Sequence, residues 1–187
     1  MNAREEKIIE AAVRLFLRYG VKRTSMNDIA LEAGIARQTL YNAFSNKDEV
    51  MRATIRLFAD RAMAGIEAGL ADAATLGEQL DVIFHFITVA PCDLLNASPN
   101  AEDIVAGFNA ASEAELADAA ERNRVIIARV LEPYGAAIEK SGLTRDLYAD
   151  FIQRAAHGAK YSARDRDHLL QLLTALKVSV LTVTDAT

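Results

Sequence analysis

The chain has 187 residues, of which 51% are hydrophobic and 25% are charged, with three prolines and a formal net charge of −5. This composition is typical of a folded chain with room for one or two domains, and it excludes long disordered segments. The single cysteine, Cys92, excludes an internal disulfide and a zinc site built from several thiolates.

The charge is unevenly distributed along the chain. Residues 1–50 contain eight Lys or Arg and seven Asp or Glu, a formal charge of +1, and the remaining residues carry −6. A near-neutral N-terminal segment followed by an acidic remainder is compatible with DNA binding if the cations of that segment share one face, because phosphates respond to the local potential. The chain shows no apolar signal segment and nothing near the roughly 18 apolar residues of a membrane span, so we expect a cytoplasmic protein without a membrane partner.

Helical periodicity dominates the sequence and predicts an all-α fold. The first segment repeats apolar residues at helical spacing, namely Ile8, Ile9, Ala12, Val13 and Phe16. Asn2 and Glu5 have the spacing of a capping box, and Gly20 is suited to end the helix in a left-handed turn. The pattern predicts a first helix over about 3–19.

Two short helices follow. The Thr24-Ser25 pair is a helix-start signal, and Gly34 ends the second helix after about nine residues. In the third helix, about Arg37 to Phe44, Leu40 and Phe44 share one buried face. We therefore expect the outer surface of this helix to be formed by Arg37, Gln38, Thr39, Tyr41 and Asn42. Two short helices with a glycine-containing turn and a polar outer face are typical of a helix-turn-helix, although a purely structural helix pair has the same pattern.

The remaining sequence predicts a long fourth helix and five further helices. The fourth begins near Asn46, with Glu49 as its capping partner, and runs through Ile66. The others are expected over about 76–90, 100–111, 113–140, 144–159 and 164–182, with breaks at Pro91, Pro99, Gly142 and the corner 159–162. Ser162 and Asp165 have the spacing of a capping box for the last helix.

The last two predicted helices are markedly apolar. A helix pair with that much apolar surface indicates the seam of a four-helix dimer. The alternative, that these faces only close the core of one chain, stays open.

The motif in the first fifty residues strongly resembles the DNA-binding domain of the TetR family of repressors. The resemblance is carried by residues 24–30, 33–35, 39–41, 44 and 47–50 and covers about residues 5–55. The remaining two-thirds match the family only in length and helical character. The resemblance implies a three-helix helix-turn-helix domain over 1–46 and a helical effector-binding and dimerisation domain over 47–187.

The same resemblance implies how the site residues act. Arg37 and Gln38 would read base edges in the major groove, and Asn42 could reach bases or backbone. The residues that would contact phosphates are Thr24, Ser25, Thr39, Tyr41 and Lys47, since a helix start and a cation each attract an anion. The sequence departs from the family at Ala36, where a serine cap is common, and at Asn42-Ala43, where larger residues are common.

The implied function is that of a ligand-responsive transcriptional regulator, a repressor. It would bind a palindromic double-stranded DNA operator as a homodimer through its last two helices and leave it when a small-molecule effector binds. Residues that mix apolar and polar character and could line the effector pocket are Phe84, His85, Phe108 and Asn109. Each of them is also compatible with an ordinary core or surface position.

Two other classes of function remain open, a helical enzyme or small-molecule-binding protein and a DNA-binding protein without an effector. We predict no catalytic residue, metal site or cofactor. No phosphate-binding glycine loop or nucleophile elbow is present, and the three histidines, His85, His157 and His168, have no metal-ligand spacing.

Overall fold

The computed structural model describes residues 2–186, apart from the side chains of residues 109–111. Every regular element among these residues is helical, which confirms the all-α prediction. The helices are α1 (Ala3–Tyr19), α2 (Met26–Glu32), α3 (Arg37–Ala43), α4 (Lys47–Asp72), α5 (Leu76–Phe84), α6 (Ala90–Asn96), α7 (Ala101–Ala111), α8 (Glu113–Val130), α9 (Gly135–Lys140), α10 (Arg145–Ser162) and α11 (Arg166–Val183). A π-helical segment, His85–Val89, joins α5 to α6, and a 3-10 turn, Glu132–Tyr134, precedes α9. None of the described helices is long and apolar enough to cross a membrane.

The first helix begins and ends where the sequence predicts. Asn2 Oδ1 accepts hydrogen bonds from the backbone N–H groups of Arg4 at 3.1 Å and Glu5 at 2.9 Å. The Glu5 carboxylate in turn accepts the Asn2 N–H at 3.1 Å. Gly20 follows the helix with φ of 86°, a conformation that glycine adopts without steric cost. The predicted positions of both ends of α1 are confirmed, but Gly20, with ψ of 163°, is extended and does not form the predicted left-handed turn.

Pro91 does not interrupt the helical path, so the predicted break there is wrong. Pro91 is the second residue of α6, which follows the π-helical segment directly without a loop. The π-helical segment before it also shifts the hydrogen-bond register, since the Ala90 N–H donates to the His85 carbonyl five residues back. This local widening lets the helix continue past a residue that breaks an ordinary one.

The predicted single helix over 113–140 is divided into α8, a 3-10 turn and α9. Pro133 lies at the start of the 3-10 turn, and α9 begins two residues later at Gly135. Inside a long helix, proline would remove a backbone hydrogen bond and crowd the carbonyl four residues earlier. The prediction of one helix through Pro133 is therefore wrong.

The corner between α10 and α11 lies later than predicted. Helix α10 continues to Ser162, and α11 begins at Arg166. Asp165 is the N-cap residue, since its Oδ1 accepts the His168 N–H at 2.8 Å. The predicted capping box that starts at Ser162 is wrong, because Ser162 is still the last residue of α10.

The described residues divide into two compact units. The first contains residues 2–60 and 94–118, and the second contains residues 61–93 and 119–186. Fully buried large side chains of the first unit come from α1, α2 and α3, namely Ile8, Ile9, Phe16, Ile29 and Leu40. Ile104 of α7 belongs to the same core. The domain boundary predicted after residue 46 stays a prediction. The first unit also includes α7, which lies much later in the chain.

The second unit has its own core, built from α5, α8, α9, α10 and α11 with the second half of α4. Its fully buried large side chains are Ile66, Leu76, Leu80, Ile83, Ile127, Leu131 and Ile138. Gly65 of α4 lies directly against the Phe86 ring, at a distance that leaves no room for a Cβ atom. The core of this unit therefore depends on a close approach of α4 to the π-helical segment.

Candidate nucleic-acid interface

Helix α3 presents a polar surface and is held from behind by two buried side chains. Leu40 is 0% exposed and Phe44 is 6% exposed, and both belong to the core of the first unit. On the outer side Arg37, Gln38, Tyr41 and Asn42 are exposed, and Thr39 is half-exposed. These five residues therefore project from one short helix, which is the arrangement that the sequence predicts.

The turn between α2 and α3 fixes the position of α3. Gly34 has φ of 64°, and its N–H donates to the Leu31 carbonyl at 3.0 Å. The Ile35 N–H donates to the Ala30 carbonyl at 3.0 Å, so the chain turns within two residues. Ala36 is the N-cap of α3 and offers no side-chain acceptor, as the departure from the family at this position predicts.

The exposed residues of α3 form two pairs, each linking side chains four positions apart. The Gln38 Nε2 donates to Asn42 Oδ1 at 2.9 Å. The Arg37 guanidinium lies 5.2 Å from the centre of the Tyr41 ring, and its Nη2 lies 3.5 Å from the Tyr41 hydroxyl. Both pairs follow from the helical repeat, which brings residues i and i+4 onto one face. The side chains expected to read bases are therefore already oriented by their neighbours.

Thr24 and Ser25, predicted together as a phosphate-binding helix start, have different roles. Thr24 is 3% exposed, and its hydroxyl donates to the Gly20 carbonyl at 2.7 Å. Ser25 is exposed and caps α2, since its Oγ accepts the Asp28 N–H at 3.2 Å. Hydrogen bonds from the Ser25 hydroxyl and N–H hold the pKa of the Asp28 carboxyl below its usual value. Only Ser25 of this pair presents its side chain to solvent.

Lys47 connects the start of α4 to the loop between α1 and α2. Its Nζ donates to the Val21 carbonyl at 2.7 Å and to the Thr24 carbonyl at 3.0 Å. An ammonium group has three N–H donors, so one remains for an anion. The side chain is half-buried, and its position therefore depends on internal contacts that the sequence does not reveal.

The start of α4 is capped by two neighbouring residues. Asn46 Oδ1 accepts the Glu49 N–H at 2.9 Å, as predicted. The Glu49 carboxylate, however, accepts the N–H and the hydroxyl of Ser45 at 2.6 Å and 2.7 Å. The Ser45 hydroxyl, followed by its N–H, lowers the pKa of Glu49. The reciprocal partner of Glu49 is thus Ser45 rather than Asn46.

Residues 98–103 hold the end of α1, a support that sequence reasoning missed. The Leu17 carbonyl accepts the Ser98 hydroxyl at 2.7 Å and the Asn100 Nδ2 at 3.2 Å. Asp103 Oδ2 accepts the Lys22 N–H at 3.0 Å, and this bond is the main cause that lowers the pKa of Asp103. No local motif marks these residues, because their partners lie about 80 positions away.

Two further contacts within the first unit reach α7 and the start of α8. The Phe108 ring packs edge-on against Phe16, with ring centres 6.2 Å apart. Glu115, only 15% exposed at its side chain, pairs with Arg56 at 2.8 Å and with Arg52 at 3.9 Å. These contacts make α7 and the first turn of α8 part of the framework that carries α3.

The four residues predicted for an effector pocket have different surroundings. Phe84 is buried in the core of the second unit, and His85 is exposed and packs edge-on against Phe86. Phe108 packs against the core of the first unit, and the side chain of Asn109 lies outside the described residues.

Neither of two surface grooves in the second unit is lined by these four residues. One groove of about 470 Å³ lies between α10 and α11, and the other, of about 260 Å³, lies between α4 and α8. In the part of the chain that the structure describes, no group of three or more His, Cys, Asp or Glu is arranged to hold a metal ion.

Comparison with known proteins identifies relatives of the first fifty residues. The family model of bacterial regulatory proteins of the tetR family matches residues 8–54. The HTH-type transcriptional regulator TtgR of Pseudomonas putida is 47% identical over 49 residues, 26% of this chain and 23% of TtgR. The HTH-type transcriptional repressor KstR2 of Mycobacterium tuberculosis is 35% identical over 60 residues, 32% of this chain and 30% of KstR2. The match therefore spans less than a third of the length of these curated relatives.

Solved structures are similar to this chain over nearly its whole length. A transcriptional regulator from Cytophaga hutchinsonii has a TM-score of 0.72 at 20% identity and covers 99% of both chains. The TetR family repressor AlkX from a Dietzia species has a TM-score of 0.64 at 19% identity and covers 97% of this chain and 96% of AlkX. At this identity the likeness defines the fold, which is that of these regulators.

Proposed function

We propose that the chain is a tetR-family regulator, since the model of that family of bacterial regulatory proteins matches residues 8–54, and that it acts as a dimeric, ligand-responsive repressor of transcription. The observation that carries the proposal is the exposed polar face of α3, backed by Leu40 and Phe44. A short helix with such a face fits the major groove of B-DNA, which is about 12 Å wide. The protein would act in the cytoplasm, where its DNA target lies.

In this proposal the exposed residues of α3 divide between bases and backbone. Arg37 and Gln38 carry multiple donors at the start of the helix, the position from which recognition helices read base edges. Thr39 and Tyr41 offer hydroxyl groups to phosphates. Ser25 is exposed at the start of α2, but its hydroxyl and N–H donate to the Asp28 carboxylate, so it would act through the cap of α2. Thr24 contributes only indirectly, because its hydroxyl is bonded to the Gly20 carbonyl.

Dimerisation through α10 and α11 is supported by apolar side chains that remain more than half exposed in the single chain. Leu147 and Phe151 of α10 are 57% and 54% exposed, and Val178 of α11 is 55% exposed. The opposite faces of the same helices supply Ile152 and Leu173 to the core. Helices that are apolar on both sides bury one face within the chain and the other against a partner, so a second copy of the chain is the proposed partner.

The groove between α10 and α11 adds to this surface. It is lined by small and apolar residues, namely Ala155, Gly158, Ala159, Ser162, Leu172 and Leu176. Small residues allow helices of a second copy to approach closely. A dimer would set two α3 helices about 34 Å apart, so that each enters a successive major groove of a palindromic operator.

The effector is proposed to bind within the second unit. The groove between α4 and α8 is lined by three apolar side chains, Met63, Val125 and Ile126, and by four charged ones, of which Arg129 and Glu67 form a bidentate ion pair at 2.9 Å and 2.7 Å. Such a mixed lining would suit an effector that has both apolar and charged groups. The pocket predicted from Phe84, His85, Phe108 and Asn109 stays a prediction. An effector lowers DNA affinity only by its differential binding to two shapes of the protein.

Selection of bound fragments from genomic DNA tests the proposal. The full chain should enrich sites with two inverted half-sites, and a variant with both Arg37→Ala and Gln38→Ala should lose the enrichment while it remains folded. A thermal-shift screen on the same protein should identify a small molecule that stabilises the chain and also releases the DNA. Enrichment of no common site would refute the regulator. A DNA-binding chain without such a molecule would instead favour the class that lacks an effector.

A further inference from the structure

The pairing of Gln38 with Asn42 on α3 carries a consequence for base recognition. We propose that Asn42 is a positioning residue that restricts Gln38 to reading adenine and makes it reject guanine in the major groove. The inference rests on the proposed function and adds the base that this site selects. It comes from one hydrogen bond, between Gln38 Nε2 and Asn42 Oδ1 at 2.9 Å.

The hydrogen-bonding groups of Gln38 determine what it can recognise. A glutamine amide has two N–H donors and one carbonyl oxygen. One N–H is engaged by Asn42, so one donor and one acceptor remain. In the observed pairing an N–H of Gln38, and not its carbonyl oxygen, is directed at Asn42. The inverse pairing, with Asn42 Nδ2 donating to Gln38 Oε1, would leave two donors on Gln38 and favour guanine, so the base preference distinguishes the two.

Only one base edge matches the donor and acceptor that remain. In the major groove adenine presents the N7 acceptor beside the N6 donor, so it can use both groups of Gln38 at once. Guanine presents two acceptors, N7 and O6, and would need the second N–H that Asn42 occupies. Thymine offers one acceptor and cytosine one donor, so each can pair with only one of the two remaining groups of Gln38. Asn42 thus converts a permissive amide into one that selects adenine.

The location of the pair supports a role in recognition rather than in folding. Both side chains are exposed, and neither contributes to the buried side of α3, which Leu40 and Phe44 form. Alanine at position 42 retains or improves helix propensity, so an Asn42→Ala variant is expected to fold. Loss of base preference in this variant can then be attributed to Gln38.

Three variants separate positioning from other roles of Asn42. Asn42→Ala removes the acceptor. Asn42→Asp retains an acceptor at the same place, although its charge weakens DNA binding to every sequence. Asn123→Ala, in α8 of the second unit, is a matched asparagine substitution outside α3.

The experiment first selects duplexes from a randomised library with the unsubstituted chain and with Gln38→Ala. The base pair whose preference Gln38→Ala abolishes is the one that Gln38 reads. Dissociation constants are then measured by fluorescence anisotropy, at one fixed salt concentration, for the four duplexes that differ at this pair. The readout is the ratio of the constants for guanine and adenine.

We expect the unsubstituted chain to prefer adenine by about 10-fold or more. Asn42→Ala should lower the ratio by about 1.5- to 2.5-fold, mainly through tighter binding of the guanine duplex relative to adenine, because guanine no longer has to displace the exposed Gln38–Asn42 hydrogen bond. Asn42→Asp and Asn123→Ala should keep the ratio of the unsubstituted chain.

Several results would overturn the inference. One is an Asn42→Ala variant that binds all four duplexes more weakly by the same factor, because Asn42 then acts only on the backbone. Another is an Asn42→Asp variant that loses the ratio as Asn42→Ala does. A preference for guanine in the unsubstituted chain would also contradict it. Absence of any sequence preference in that chain would instead refute the proposed function.

Discussion

Replacement of Lys47 by methionine should destabilise the first unit, in addition to any effect on DNA. The substitution keeps the aliphatic stem but removes the two hydrogen bonds to the Val21 and Thr24 carbonyls, at 2.7 Å and 3.0 Å. Hydrogen bonds from a charged donor contribute about 1.5–3 kcal/mol each at well-buried sites. Lys47 is half-buried and water can reach the two carbonyls, so we expect a loss of about 1–3 kcal/mol for both bonds together.

Urea denaturation measures this loss, and hydrogen exchange of the α1–α3 amides assigns it to the first unit. Lys22→Met is the matched control, because Lys22 lies in the same loop with its side chain 84% exposed, and its ion pair with Asp103 at 3.5 Å contributes only about 0–1 kcal/mol at such a site. The salt dependence of DNA binding should decrease by about one phosphate contact, since a single N–H of Lys47 remains for the backbone. An unfolding midpoint and exchange rates equal to those of the unsubstituted chain would refute the internal role of Lys47.

Three further predictions address the dimer, the turn after α1 and the pH dependence. Phe151→Asp should halve the mass seen by sedimentation and weaken operator binding, because it places a charge on the proposed seam; a persisting dimer would exclude this face. Gly20→Ala should lose about 1–3 kcal/mol in urea unfolding, since φ is 86° and the new Cβ would lie 2.5 Å from Asp103 Oδ2; unchanged stability would argue against this strain. Asp103 has a lowered pKa, so its contribution is present above about pH 3.8 and is lost as the pH falls through the folded pKa. Asp103→Asn should therefore destabilise the chain at pH 7 and much less at pH 2.5, and an equal effect at both would contradict the ionic role.

The ends of the first helices could be predicted because their causes are local. The Asn2 cap, the turn at Gly20 and the glycine at position 34 each act within a few residues of the backbone that they shape. The buried and exposed sides of α3 follow from the helical repeat in the same way. The fold class and the exposed face of α3 could therefore be predicted from the sequence.

Proline shows where local rules are insufficient. Pro91 and Pro133 have the same missing N–H and the same crowding ring, yet α6 contains the first and a 3-10 turn contains the second. The difference lies in the preceding turn, since the π-helical segment shifts the register before Pro91. No π-helical pattern is visible in the sequence, and the contact of this segment with α4, where the Phe86 ring lies against Gly65, joins residues about 20 positions apart.

Contacts between distant segments could not be predicted from the sequence, for a different reason. The Leu17 carbonyl at the end of α1 is satisfied by Ser98 and Asn100, and the Lys22 N–H is satisfied by Asp103. Serine, asparagine and aspartate are common in loops, so their presence at 98–103 predicts a turn but not its partner. Only the folded chain identifies these residues as part of the first unit.

The resemblance to a DNA-binding family assigned Thr24 and Lys47 to phosphates, and their contacts indicate a second reason for these residues. The Thr24 hydroxyl donates to the Gly20 carbonyl, and the Thr24 carbonyl accepts from Lys47 Nζ. These bonds form a continuous connection from the end of α1, through the loop, to the start of α4. Because that loop leads directly to the Ser25 cap of α2, a residue that stabilises the loop also positions the helix-turn-helix. Weakened DNA binding in a Thr24 or Lys47 variant is therefore not sufficient to assign a phosphate contact. That assignment needs a variant whose DNA binding depends less on salt while its unfolding midpoint stays unchanged.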